Sequence, residues 1–225
     1  MKPKWNLKEL RDHIRSTRSN SDDLLEIVHS IDRYIRIFLF HLEGARDAMN
    51  KVIDAENPCA RESFEFVLGV SERQDEFDFA KVASEAHILG AVHSARASFD
   101  VFAFLVNGLF LGGSIPESKC DIKIATKALQ QSSLKTELEA LTDSYWFSYV
   151  SAFINTAKHR MLVRHSFHVG IEEPYTGVRI GAFEYNGQKY PSYKVKELLE
   201  GVLEVKNKIV DCGKLLNDQL VTDGV

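Results

Sequence analysis

The sequence predicts a mainly α protein, an antiparallel helical bundle with a small antiparallel β-sheet inserted before the C-terminal helix. Three observations carry this. Two long stretches, beginning near residues 22 and 192, repeat apolar residues at alternating three- and four-residue steps. That period winds an apolar seam along a helix. A third stretch, about 76–110, is apolar with many small residues, which lets neighbouring helices approach closely. Between about 164 and 193 the pattern changes to short segments rich in β-branched and aromatic residues around Asn186-Gly187, a strong two-residue hairpin signal.

Residues 4–18 read as a short basic-faced helix. Ser21-Asp22-Asp23 supplies an N-cap with acids in the first turn. The seam Leu24, Val28, Ile31, Ile35, Phe38, Leu42, Ala45, Met49, Val52 then predicts one helix over about 22–55, with Leu24, Ile31, Phe38 and Ala45 buried, ended by Asn57-Pro58. Phe64, Phe66, Leu68 and Val70 alternate, which predicts a strand. After the 76–110 helix, Gly112-Gly113 turns the chain. Residues 120–131 and 133–163 read as helical, the second interrupted near Thr142-Asp143-Ser144. Segments 164–172, 177–185 and 188–193 are the strands. Ser192 is placed to cap the last helix, whose seam is Val195, Leu198, Val202, Val205, Ile209, Cys212 and Leu216. There is no internal repeat or low-complexity linker, so a single domain over 1–225 is expected, its helices packed through short connections.

Composition narrows the function. The 225 residues carry a formal net charge of −4 and 27% charged residues. A dedicated duplex-DNA binder is usually basic overall. Cys59, Cys120 and Cys212 are odd in number and widely spaced, as reduced thiols of a cytosolic protein would be. Met-Lys-Pro-Lys-Trp-Asn does not look like a secretory leader, and Val101–Leu111 is too short to span a bilayer. A soluble cytoplasmic protein without a membrane partner is the expectation.

Ser144–Ile171 is the segment to examine for a site. It has no Asp or Glu, in a chain with 32 of them, and contains three of the eight histidines. Within it Asn155, Lys158, His159, Arg160, Arg164 and His165 form a candidate anion site. Arg offers a planar fork, Lys a point charge, and His a proton that moves near neutral pH. The competing explanation is structural, since basic residues in a last turn favour the negative end of a helix dipole.

His93, Asp100 and Asn107 lie seven apart on one stripe. They read either as a pocket shared with Asn155 and His159 or as a hydrogen-bonded stripe that fixes helix register. The structural reading is preferred, because buried polar groups are usually satisfied within the fold. No metal is expected: there is no His-x-x-x-His or Glu-x-x-His pair, and His165 and His168 would face opposite sides of a strand. No cofactor fingerprint is present either, neither a P-loop nor a dinucleotide-binding glycine pattern.

Arg160-Met-Leu-Val-Arg-His165 resembles the Arg-x(4–6)-His signature of the HEPN superfamily, small helical bundles that are often dimeric and include toxins and defence ribonucleases. The resemblance covers six residues and a general bundle likeness. It departs from the family at Met161, where a polar residue is usual, and at His165, which opens a predicted strand rather than sitting on a helix. It implies Arg160 and His165 as the catalytic pair of a metal-independent ribonuclease, with the site built across a homodimer. In such chemistry His165 would take the 2′-hydroxyl proton and Arg160 would hold the phosphorane charge. The wording Asn155-x-x-Lys-His-Arg before a sheet also looks like uncharacterised bacterial bundle proteins. Two alternatives stay open: a non-catalytic interaction or structural bundle, and a small-anion or nucleotide binder.

Overall fold

The computed structural model describes residues 5–18, 21–53, 60–170 and 175–223. It is a helical bundle, mainly α, with two small antiparallel sheets before the C-terminal helix. In chain order the helices are α1 (Leu7–Thr17), α2 (Ser21–Asn50), α3 (Ala60–Leu68), α4 (Gln74–Phe110), α5 (Ile122–Ala128), α6 (Ser133–Thr142), α7 (Tyr145–His159) and α8 (Val195–Asp223). The strands, all between α7 and α8, are β1 (His165–Val169), β2 (Thr176–Ile180), β3 (Phe183–Tyr185), β4 (Gln188–Tyr190) and β5 (Tyr193–Lys194).

The long seams are buried as expected. Leu24, Val28, Ile31, Phe38, Leu42 and Ala45 lie inside along α2, and Leu198, Val202, Val205, Ile209, Cys212 and Leu216 along α8. The proposed stop at Asn57-Pro58 lies outside the described residues, as does Cys59. Cys120 and Cys212 are buried thiols, and burial pushes both away from the reactive thiolate. Helix α4 is long and apolar enough to cross a membrane, but 56% of its most apolar window is buried inside the protein.

The chain forms two compact units. The first comprises Met1–Arg36, Ser94–Ser148 and Leu203–Val225. Its first helix starts at Asn6, whose side chain accepts the Glu9 N–H. The Trp5 indole donates to Asn217 Oδ1 at 3.0 Å, and the Asn217 amide donates to the Asn6 carbonyl and the Glu9 carboxylate. Gly213 is required beneath Trp5, because a Cβ there would come within 2.2 Å of the indole. Asp121 and Ser132 cap α5 and α6 with their side chains. The break expected near Thr142-Asp143-Ser144 separates α6 from α7.

The second unit comprises Ile37–His93 and Tyr149–Val202. It holds all five strands. Strands β1, β2 and β5 form one antiparallel sheet in that order, with His165 opposite Ile180 and Arg179 opposite Lys194. Strands β3 and β4 form the expected hairpin, with φ of 51° at Asn186 and 78° at Gly187, as a type I′ turn requires.

Four local expectations are corrected. Residues 60–68 are helical, not a strand: Ser63 and Phe66, three apart, are buried, while Phe64, Val67 and Leu68 face solvent. The alternation of apolar residues there did not coincide with an alternation of burial. The segment 177–185 is divided between two sheets at Gly181, whose N–H donates to the Arg164 carbonyl at 2.7 Å. Ser192 does not cap α8, since its hydroxyl donates to the Ile180 carbonyl. Glu197 instead accepts the Lys194 N–H at the helix entrance. The helical region expected to reach residue 163 ends at His159, which leaves Met161 71% exposed.

Candidate functional site

The acid-free segment begins in the last turn of α7. Thr156 closes that turn: its carbonyl accepts both the Arg160 and Met161 N–H groups, and its hydroxyl donates to the Ala152 carbonyl. Asn155 is half-buried, while Lys158 and His159 are exposed, in keeping with favourable charge at a helix C-terminus.

Arg160 and His165 take different partners. The Arg160 guanidinium lies over the Tyr185 ring, 4.9 Å from its centroid. It also approaches the Glu184 carbonyl (3.4 Å) and Asn186 Oδ1 (3.5 Å), so it is laid along the β3–β4 hairpin. His165 opens β1 and sends Nε2 to the Ser84 hydroxyl of α4 at 3.2 Å. Burial, with the nearby Lys81 charge, lowers the His165 pKa to about 4, so the imidazole is neutral at pH 7.

His165 lines a groove of about 470 Å³. One wall is the C-terminal part of α3. The opposite wall is Arg164–Phe167, and the helix α4 supplies Gln74, Phe77 and Lys81. The floor is aromatic: Phe66 and Phe77 stack at 4.5 Å, and Phe167 meets Phe77 edge-on at 5.0 Å. Among the described residues, no Asp or Glu lines this groove. Lys81 has Asp78 at 3.8 Å and lies 5.4 Å from the Phe77 centroid. Gln74 Oε1 is buried there and accepts no hydrogen bond.

A second concavity of the same unit, about 1090 Å³, has Ser84, the hydrogen-bond partner of His165, in its wall. Its rim carries Arg46, Lys51, Arg73 and Lys196 against one carboxylate, Glu200. Arg73 is committed to Glu62 and Glu76, each at 3.0 Å. Arg46, Lys51 and Lys196 are exposed.

The pocket expected from His93 and Asp100 takes a different form. Asp100 pairs with Arg96, whose guanidinium lies over Phe147 at 5.2 Å. Asn107 binds both the N–H and the carbonyl of Ile115, fastening the turn after α4. His93 is exposed. These contacts are structural, as hydrogen-bonded polar groups on an apolar helix generally are. Among the described residues, no group of three or more His, Cys, Asp or Glu is arranged to hold a metal ion.

Sequence reasoning missed Lys81, Ser84 and Gln74. The signal was available: Phe77, Lys81 and Ser84 follow four- and three-residue steps on one helix face. It also missed a histidine pair. His41 and His87 bring their Nδ1 atoms to 3.1 Å, with Phe40 against the edges of both rings. A Cβ on Gly44 would fall within 2.4 Å of His87, and one on Gly90 within 2.6 Å of His41. The repeated spacing His41-x-x-Gly44 and His87-x-x-Gly90 encodes this reciprocal packing. Burial and the neighbouring ring lower the His41 pKa.

No family model, curated protein or solved structure matches this chain.

Proposed function

We propose that this protein is an anion-binding bundle that holds phosphate groups, as in an RNA backbone, in the groove formed by Lys81, Arg164 and His165. The observation that carries this reading is the absence, among the described residues, of any carboxylate from the groove lining, where two cations and an imidazole meet. The lowered His165 pKa fits the same picture, because burial first, and then the Lys81 charge, disfavour the imidazolium, and a bound anion would offset the second. The second basic concavity, whose wall includes Ser84, the hydrogen-bond partner of His165, favours an extended polyanion over an isolated ion. Counterion release would then contribute to affinity and make it salt-dependent.

The HEPN-like reading adds metal-independent RNA cleavage. In that reading the His165 imidazole, neutral at pH 7, serves as the base once a bound phosphate raises its pKa from about 4 toward neutrality. Within one chain Arg160 lies along the hairpin while His165 meets α4, so the Arg160–His165 pairing of that reading requires Arg160 from a second copy.

The test is titration of fluorescent short single-stranded RNA into wild type, Lys81→Ala and Arg164→Ala at rising salt, with RNA integrity followed in parallel. Binding that weakens with salt and in both variants supports the groove. Wild-type binding unchanged in both variants would place the anion elsewhere. Cleavage lost in His165→Ala and Arg160→Ala would support the ribonuclease reading.

A further inference from the structure

The second unit exposes two apolar features with opposite charge around them. The first is a groove of about 480 Å³ between α2 and α4, with Phe40 and Phe79 among its walls. Phe79 is 76% exposed and Phe40 65%. Glu43, Asp47 and Glu76 also line it, with Lys51 as the opposing charge and His87 at its side. Phe40 is held in place by its edge contacts with His41 and His87. The neighbouring Val82 of α4 is exposed as well.

The second feature is the end of α7. Met161 and Leu162 project into solvent, and the exposed Lys158, His159 and Arg160 precede them. Single exposed apolar residues are ordinary on any surface. Here a two-residue apolar tip with a basic surround and an aromatic groove with an acidic surround occur in one chain. Both stand open, so neither fills the other within the chain.

We propose that the basic tip Lys158–Leu162 of one copy docks into the acidic aromatic groove of a second copy. Met161 and Leu162 enter between Phe40 and Phe79, and Lys158 faces Glu43 and Asp47; Glu76 stays paired with Arg73 and Arg160 with the hairpin. Such a contact joins two different surfaces, so it is heterologous: each copy keeps one tip and one groove free, and assembly continues to a ring or a filament. The contact is smaller than the roughly 800 Å² per partner of a standard stable interface, which makes the association weak and concentration-dependent. The charges add salt sensitivity and orientation. The phosphate groove of Lys81, Arg164 and His165 takes no part, so this inference stands or falls separately from the proposed function.

The experiment is sedimentation velocity of the full chain over a range of concentrations and salt, with Phe79→Lys and Met161→Asp as variants. Both positions are exposed, and unchanged circular dichroism and unfolding midpoints confirm folding. Wild type is expected to self-associate, less so at high salt. Each variant alone is expected to associate about tenfold more weakly or worse. Mixed together, they are expected to form a 1:1 heterodimer and stop there, because only the tip of Phe79→Lys and the groove of Met161→Asp remain intact. A fold-neutral check is Lys158→Glu, which should weaken association and regain it when mixed with Glu43→Lys. Wild type that stays monomeric throughout would overturn the proposal. So would variants that associate like wild type, or a mixture that gains no heterodimer.

Discussion

The two ends of α4, one in each unit, treat their polar side chains in opposite ways. In the first unit several polar groups close on one another, although among the described residues the buried Arg11 Nε, Arg18 Nε and Gln219 Oε1 have no hydrogen-bond partner. Trp5, Asn6, Glu9 and Asn217 form one connected set, Asn107 is used twice by Ile115, and Arg18 reaches the Leu109 carbonyl. In the second unit Lys81, Arg164, His165 and Gln74 border a groove, and the buried Gln74 Oε1 accepts no hydrogen bond. The lesson is that residue type does not separate structure from site. Asn107 and Gln74 are both amides on α4, yet one is saturated and the other is not. What separates them is whether the fold supplies the complementary atom.

The largest expected effect lies on the saturated side. Trp5→Ala removes a buried indole packed edge-on to Phe102 and breaks the hydrogen bond to Asn217, so chemical unfolding should report a loss of about 3–5 kcal/mol. An effect below about 1 kcal/mol would show that the connected set contributes little.

The open side should reveal itself through pH. His165 titrates at about 4 when folded and near 6.5 when unfolded, so the unfolded chain takes up the proton first. The associated stability is present above pH 6.5 and lost as pH falls toward 4. After allowance for partial exposure, the difference in this slope between wild type and His165→Asn should amount to about 2 kcal/mol. Identical pH profiles would contradict the buried, neutral imidazole.

Lys81→Ala and Arg164→Ala should each reduce anion affinity about tenfold, the loss of one charge-assisted hydrogen bond, while leaving stability nearly unchanged. The smallest effect concerns the hairpin over which Arg160 lies. Gly187→Ala forces a Cβ into a left-handed conformation at φ 78°, costing about 1 kcal/mol in thermal or denaturant unfolding, without affecting anion binding.

Much of this fold was legible in the sequence because its long helices carry strict seams. Leu24 to Ala45 and Leu198 to Leu216 occupy the positions their spacing demanded, and Asn186-Gly187 demanded a left-handed turn. Short segments were less legible. Around Phe66 the apolar residues alternate, but burial follows a helical face because Phe66 finds the Phe77 ring. The candidate site was half legible. Arg164 and His165 stand in the acid-free run, but Lys81 and Ser84 are some eighty residues earlier, and only tertiary packing brings them to β1. Local spacing therefore suggested Arg160 as the companion of His165, whereas the nearest groups in space come from α4. The His41–His87 contact was unread for the same reason: each half is local, and its meaning appears only when two helices meet.

The most direct test follows the His165 imidazole by NMR during pH titration, with and without saturating short RNA or inorganic phosphate. The groove reading predicts a free-state pKa near 4 that rises when either anion binds, because a bound phosphate offsets Lys81 and stabilises the imidazolium. A His165 titration that neither anion shifts, under conditions where binding is observed, would contradict the claim that Lys81, Arg164 and His165 form the anion site.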